Sequence, residues 1–319
     1  MALISSIESV VSIVLLIVLG FFLRKKGWFS DSFGGNISKF IMNIALPASI
    51  FVSVLSHLTK DKLLSLSGGL LYGGISVALG YVIALALAKI LKIRNGRRGT
   101  FVNMFVNANT IFIGLPLNVA LFGEDSIPYF LVCYVLNTIS TWAIGVFLIS
   151  ADPMDKNSQA KKEKFNWKKL LPAPLIGFLV ALVFLFAEIP VPGFIHSPLT
   201  YLGNTVTPLS LIYIGIVLCN AGLKSIHFDR DTIAGLVCKF VLAPALITGL
   251  ILIGRGWMPL PLLEEKTLII QAAVPALAVL PILVNEAKGD VAYATNLVTT
   301  STVLFIVIIP VVEMLLGYL

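Results

Sequence analysis

Residues 99–125 read GTFVNMFVNANTIFIGLPLNVALFGED, an apolar stretch that is long enough to cross a bilayer but polar at its centre. Its middle carries the polar and helix-breaking residues Asn103, Asn107, Asn109, Thr110, Gly114 and Pro116. Because an unsatisfied amide or backbone group in hydrocarbon costs several kcal/mol, such a segment must pack inside protein or line a wet cavity. We interpret it as a broken transmembrane helix, where transporters usually hold their substrate. The alternative is a proline-kinked helix whose asparagines bond to neighbouring helices.

The composition predicts an all-α membrane protein. Of the 319 residues, 58% are hydrophobic and only 12% are charged, whereas a soluble domain has about 25% charged residues. Several continuous apolar runs exceed the ~20 residues that a membrane-spanning helix needs. The net charge of +7 comes from basic residues in short loops, so it indicates membrane topology and predicts no nucleic-acid partner.

The apolar runs predict ten transmembrane helices. They lie at about residues 5–23, 37–57, 64–90, 100–122, 127–149, 169–188, 198–221, 232–254, 265–287 and 291–316. Lys and Arg are concentrated in the odd-numbered loops, which predicts that both termini are outside. The polar segment 151–168 is then a cytoplasmic linker between 1–150 and 169–319, each holding five helices.

The two halves carry matching motifs. Asn43 to Ser49 and Asn204 to Ser210 both read NxxxPxS. Leu115-Pro116 precedes Asp125 by the same spacing as Leu280-Pro281 precedes Asp290. Since each half has an odd number of helices, the second must be inverted in the membrane, which is the inverted-repeat plan of secondary transporters.

The ninth predicted helix mirrors the fourth. Pro275 and Pro281 interrupt it, and Asn285 follows. If both helices are broken and cross each other, their N-terminal half-helix ends form a seat for a carboxylate, to which Asn109 and Thr110 would add hydrogen bonds. The alternative is that the prolines merely kink two long helices.

A lysine and an asparagine within the other predicted helices also need explanation. Lys239 lies in the eighth, where a charge indicates substrate binding or ion coupling unless its stem snorkels to the surface. Asn137 in the fifth needs a polar partner. Asp125 and Asp290 are predicted to be helix N-caps. No carboxylate stands out within the helices, so neither Na⁺ nor H⁺ coupling is indicated by the residues, and no cofactor, metal site or enzyme motif is predicted.

The string NTIFIGLP at residues 109–116 resembles the fourth-helix crossover of the auxin efflux carrier family. QAAVPALAVLP in the ninth helix is similar to that family's second crossover, and LPAS in the second helix also fits. The resemblance implies a ten-helix fold related to the bile-acid sodium symporters. Helices 1, 2, 6 and 7 would form a scaffold, often the dimer contact, and helices 3–5 and 8–10 a core that moves as an elevator.

The resemblance also implies roles for residues. Asn109 would contact a substrate carboxylate, and Asn137 falls roughly where plant carriers have a glutamine. The predicted substrate-binding residues are Asn109, Thr110, Asn137, Ser49 and Asn285. The predicted crossover residues are Gly114, Pro116, Pro275 and Pro281.

The sequence therefore predicts a secondary active or facilitative carrier of small organic anions, such as malate, malonate or auxin-like acids, with no enzymatic activity. Its predicted setting is a bacterial inner membrane, among lipids and as a homodimer. The alternatives are a sodium-coupled symporter of the bile-acid type and a receptor that binds a ligand without moving it. The absence of a signalling domain or long tail in the sequence counts against the receptor.

Overall fold

The computed structural model describes residues 2–30, 32–154 and 171–317, and these residues contain helices but no strands. We number the helices α1 to α10 and divide two of them into halves. Their bounds are α1 Ala2–Lys25, α2 Phe33–His57, α3 Lys60–Ile90, α4a Arg98–Val106, α4b 110–122, α5 Glu124–Ser150, α6 Ala173–Ala187, α7 Gly193–Ala221, α8 Arg230–Gly254, α9a Leu262–Ala272, α9b Leu280–Glu286 and α10 Val291–Leu316.

The predicted all-helical membrane class is confirmed. Each predicted span coincides with one numbered helix, and seven helical stretches in the described ranges are long and apolar enough to cross a membrane. α6 is apolar but shorter, with 15 residues. Most of the predicted linker at 151–168 lies outside the described residues.

In the described ranges, four helices contain a five-residue π-helical turn. These turns are Ile41–Ala45 in α2, Thr110–Gly114 in α4b, Thr141–Gly145 in α5 and Cys238–Leu242 in α8. In α2, α4b and α8 a proline follows two residues after the turn. Because proline lacks an N–H and its ring clashes with the carbonyl four residues back, a wide turn accommodates it without ending the helix.

Glycines allow one group of helices to pack closely. α1 packs along α7, and α6 packs along α2. A Cβ at Gly215 of α7 would overlap the backbone of α1, and one at Gly177 of α6 would lie within 2.9 Å of Pro47 Cα in α2. Small residues are what allow helix backbones to approach this closely in a membrane. These four helices are those predicted to form the scaffold.

A charged cluster joins helix ends on one face of the bundle. It consists of Arg94 and Arg97 before α4a, Asp229 and Asp231 at the start of α8, and Asp290 at the start of α10. Arg97 binds Asp290 at 2.7 Å through Nε and Asp229 at 2.6 Å through Nη1. Arg94 binds Asp231 at 2.7 Å and also contacts Asp229. Every charge in the cluster therefore has an opposite partner.

Further hydrogen bonds extend the charged cluster to the end of α5 and to the backbone of Gly96. The cluster also lowers the pKa of one of its carboxyl groups, that of Asp229. Asp152, just after α5, accepts hydrogen bonds from the backbone N–H groups of Gly96 and Gly99 at 3.0 and 3.1 Å. The backbone N of Asp290 donates to the Gly96 carbonyl at 3.0 Å. Burial acts to raise the pKa of Asp229, but hydrogen bonds from Arg97, Thr232 and Arg94 outweigh it and hold that pKa well below its usual range. The predicted core helices are thus tied together at this face.

Candidate functional site

The breaks in the fourth and ninth helices meet in space. α4a ends at Val106, α4b begins at Thr110, and the ninth helix is non-helical between α9a and α9b. The backbone N–H of Asn109 in the first break donates to the Pro275 carbonyl in the second at 2.9 Å. Two segments far apart in sequence are therefore paired through backbone groups that a continuous helix would have used itself.

Asn137 of α5 supports the first break. Its Oδ1 accepts from the Ala108 N–H at 2.8 Å, and its Nδ2 donates to the Ala108 carbonyl at 3.1 Å and to Thr110 Oγ1 at 3.4 Å. One side chain thus pairs with both backbone groups of Ala108, whose carbonyl also accepts from the Thr110 N–H at 2.9 Å. The partner that Asn137 needs is the broken backbone.

Asn109 starts the second half of the broken helix. Its backbone is non-helical, and its Oδ1 accepts from the Phe112 N–H at 3.3 Å, so it is the N-cap of α4b. The residue is 5% exposed. Asn109 therefore lies where the positive end of the α4b dipole begins.

The other two asparagines form a buried network behind the break. Asn107 donates to Asn103 Oδ1 at 2.8 Å, and Ser140 Oγ of α5 donates to Asn107 Oδ1 at 2.5 Å. Asn103 donates to the carbonyls of Gly99 and Gly145 at 2.9 and 3.0 Å. Both interpretations of the 99–125 stretch thus apply: the helix is broken, and these asparagines also bond to a neighbouring helix.

Lys239 lies inside the protein. It is 1% exposed, and its Nζ donates to the Asn107 carbonyl at 3.1 Å. That carbonyl belongs to Asn107, the C-cap residue of α4a, which lies at the negative end of the helix dipole. In this geometry the side chain does not snorkel to a membrane surface, and its ammonium group stands directly behind the break.

Gln271 of α9a is a site residue that the sequence analysis missed. Its Nε2 donates to the Gly114 carbonyl at 2.9 Å, and a Cβ at Gly114 would overlap its Oε1. This contact explains the glycine in the GLP motif, because any side chain there would displace Gln271. The only sequence signal was the position of Gln271 just before the second proline break.

Two cavities flank the break. The first, which we name the α2 cavity, has about 710 Å³ of empty space between α2, α5 and the two breaks. The second, the α8 cavity, has about 650 Å³ between α3, α5, α8 and α9a. Ala108, Thr110 and Asn137 line both cavities, and therefore form the wall that separates them.

The cavities differ in their polar linings. The α2 cavity is lined by neutral polar groups: Ser38, Asn109, Thr110, Tyr134, Asn137, Thr138 and Thr141. The Thr141 hydroxyl is buried and has no hydrogen-bond partner among the described residues. The α8 cavity contains a charge, because Lys239 lines it together with Gln271.

The remaining predicted site residues lie elsewhere. Ser49 packs against Gly203 of α7, and Asn285 is exposed at the end of α9b, so neither lines the two cavities. Pro116 and Pro281 each follow the first residue of a regular helical segment, and Pro275 lies in the second break. Within the described ranges, no group of His, Cys, Asp and Glu could hold a metal ion.

Two aspartates test the prediction of helix N-caps, and one glutamate is buried. Asp290 is an N-cap, because its Oδ1 accepts from the Tyr293 N–H at 2.9 Å. The capping prediction for Asp125 is wrong: its carboxylate binds His57 Nδ1 at 2.6 Å instead, across to the end of α2. Glu264, in the first turn of α9a, is 0% exposed, and the sequence analysis did not single it out.

Comparison with known proteins identifies the family of this chain. A family model described as membrane transport protein matches residues 5–312. The chain belongs to this family of membrane transport proteins. The auxin efflux carrier family predicted from NTIFIGLP is therefore confirmed.

Two relatives extend the comparison to archaea. An uncharacterized transporter of Methanothermobacter thermautotrophicus is 23% identical over 310 residues, which cover 96% of each chain. An uncharacterized transporter of Methanocaldococcus jannaschii is 21% identical over 270 residues, which cover 84% of this chain and 85% of the relative. This family member is thus an integral membrane transport protein similar to transporters along nearly its whole length.

Proposed function

We propose that this family member carries small organic anions and binds them in the α2 cavity. The observation that carries the proposal is the position of this cavity, where the two helix breaks meet. Its walls offer amide and hydroxyl groups, including the unpartnered Thr141 hydroxyl, and the N-terminal end of α4b begins at its edge. Such an arrangement favours a carboxylate, which accepts hydrogen bonds and is stabilised by a positive helix end.

Lys239 supports an anionic substrate from the other side of the wall. Its ammonium group lies against Asn107, two residues before Asn109. An unpaired positive charge buried in a membrane protein is unfavourable, and an anion bound at the break would offset it. The apolar residues Met42, Ile111, Phe112 and Leu277 also line the α2 cavity and would accommodate a short carbon skeleton.

The same proposal includes an elevator movement of two inverted repeats. In two five-helix repeats, α1 and α2 correspond to α6 and α7. The contact between α1 and α7 then has its counterpart in the contact between α6 and α2, and both contacts are present. The charged cluster ties together the ends of the proposed core helices, and the α2 cavity lies between that core and α2. The homodimer, the bacterial inner membrane and the outside location of both termini stay predictions.

Flux into proteoliposomes tests the proposal. We expect saturable uptake of labelled malate, malonate or indole acetate, and a loss of at least about tenfold in Asn109→Ala, since one charged hydrogen bond contributes ~1.5 kcal/mol or more. Asn285→Ala is the matched control: Asn285 is exposed and outside both cavities, so its flux should equal that of the wild type. Normal flux in folded Asn109→Ala would remove Asn109 from the site. Binding of an acid without flux would indicate a receptor.

A further inference from the structure

Glu264 is a buried acid without an ion pair in the described part of the chain. It is 0% exposed, and neither carboxylate oxygen has a hydrogen-bond partner of standard geometry among the described residues, although the Gly69 backbone lies beside Oε1. Its neighbour Glu265 is different, because Arg255 binds both of its oxygens at 3.1 and 2.6 Å. Two consecutive acids on one helical turn therefore have opposite environments, one paired and one unpaired.

The neighbours of Glu264 lie on two other helices, α3 and α5. It faces the backbone of Gly69 in α3, where any Cβ would overlap Oε1. Tyr129 and Cys133 of α5 lie within electrostatic range on another side. Other titratable groups on the packed elements are Tyr72 of α3, bonded to the Met258 carbonyl, Glu124 and Asp125 beside His57, Arg255 with Glu265, Lys266, and Glu313 of α10, which has an interaction of its own.

Among the described residues no basic group pairs with the Glu264 carboxylate, and Lys239 of α8 donates to the Asn107 carbonyl instead. His57 is bound by Asp125, and Arg255 is bound by Glu265. A buried carboxylate without a partner is strongly unfavourable, whereas the neutral acid is not. Binding a proton therefore removes the cost that this environment imposes.

The region around Glu264 lies one helical turn from the α8 cavity, and the same offset is found on each of the three helices that form it. Gly69, Tyr129 and Glu264 are each four residues before a residue that lines this cavity. Those lining residues are Gly73, Cys133 and Leu268. All three helices run toward the charged cluster, so Glu264 stands between the α8 cavity and the opposite face of the bundle.

A row of buried oxygen atoms on α9a connects Glu264 to the cavity. Thr267 Oγ1 and Gln271 Oε1, three and seven residues further along, also lack hydrogen-bond partners among the described residues. Residues at this spacing share one side of a helix. Gln271 lines the α8 cavity and bonds to Gly114, so the row ends at the helix break.

We propose that Glu264 binds a proton that is transported together with the organic anion. This inference rests on the proposed function and names the coupling ion for it. The O–H bond forms when the carboxylate takes a proton from water on one side of the membrane. It breaks when the proton is released to water on the other side. No electron transfer or further reactant is involved.

The test compares Glu264→Gln with Glu265→Gln in proteoliposomes. The acid used is the one of malate, malonate and indole acetate that the wild type exchanges best. Exchange of internal for external acid at equal pH needs no net proton movement. Accumulation is then driven by a pH gradient, with the membrane potential held at zero by K⁺ and valinomycin. Protein-free liposomes correct for diffusion of the neutral acid.

We expect the wild type and Glu265→Gln to accumulate the acid about tenfold per pH unit of gradient. Glu264→Gln should exchange the acid but accumulate none above the protein-free liposomes. Wild-type accumulation in Glu264→Gln would overturn the proposal. Accumulation driven by sodium and unaffected by the pH gradient would also overturn it.

Infrared difference spectra between about pH 5 and about pH 8 test proton binding without transport. The carbonyl band of a protonated carboxylic acid should appear in the wild type and in Glu265→Gln and be absent in Glu264→Gln; an equal band in all three overturns the proposal. If the wild type exchanges none of the acids, the proposed function fails, and these spectra still decide whether Glu264 binds a proton. If Glu264→Gln does not fold, Glu264→Asp replaces it, and an unshifted band overturns the proposal.

Discussion

The two ends of the helix bundle treat buried charge in opposite ways. At one end, the five side chains of the charged cluster pair with one another, as in the 2.6 Å contact between Arg97 and Asp229. At the other end, Glu264 is fully buried and has no partner among the described residues. A paired cluster fixes helix ends in one arrangement, whereas an unpaired acid can change its charge. The comparison separates charges that hold the fold from a charge available for function.

The largest expected effect comes from breaking the charged cluster. Arg97→Met should lower the free energy of unfolding by about 3 kcal/mol, because it leaves Asp229 and Asp290 without their shared partner. Thermal unfolding of the purified protein in detergent measures the loss. Arg98→Met is the control, since Arg98 is exposed and its Nε donates only to the Ile93 carbonyl. Equal losses in both variants would show that the cluster is not a special source of stability.

A smaller effect with a different pattern is expected at the opposite end. Glu264→Gln should unfold at the wild-type temperature or above, because it removes a carboxyl that has no partner to lose. Glu265→Gln should instead unfold at a slightly lower temperature than the wild type, since it takes a partner from the partly exposed Arg255. The same thermal measurement compares the two. A larger loss in Glu264→Gln than in Glu265→Gln would mean that Glu264 is paired in the folded protein.

The smallest effect concerns acid. The folded-state pKa of Asp229 lies below its unfolded value, so its stabilisation is fully present above about pH 5 and is lost as the pH falls through the folded pKa. The stability difference between the wild type and Asp229→Asn should therefore stay constant from about pH 8 to about pH 5 and shrink below about pH 4. A difference that already changes near neutral pH would show that Asp229 is not held ionised by Arg97 and Arg94.

The broken helices could be predicted from sequence because local chemistry determines them. Three asparagines, a glycine and a proline cannot form an ordinary lipid-facing helix, and Pro275 and Pro281 repeat that pattern in the second half. The role of Asn137 could be predicted only in part. The sequence showed that its amide needed a partner, but the Ala108 backbone becomes available only because the fourth helix is broken.

Features that depend on distant packing could not be predicted. Glu264 is followed by Glu265 and Lys266, which together are typical of a polar loop, and its burial depends on Gly69 in another helix. Gln271 matters because Gly114 leaves room for it. Asp125 has the position of an N-cap, but His57 at the end of α2 offers it a stronger, charge-assisted partner.

The shared wall between the cavities has a consequence for how anion binding and proton binding affect each other. Ala108, Thr110 and Asn137 each line both cavities, so a single layer of residues separates an anion in the α2 cavity from the α8 cavity, and Glu264 lies one helical turn beyond the α8 cavity. Thermodynamic reciprocity then requires that a proton which tightens anion binding by a given factor is itself held more tightly by that factor when the anion is present. On the two proposals above, a carrier without its anion therefore holds its proton less tightly than a loaded carrier does.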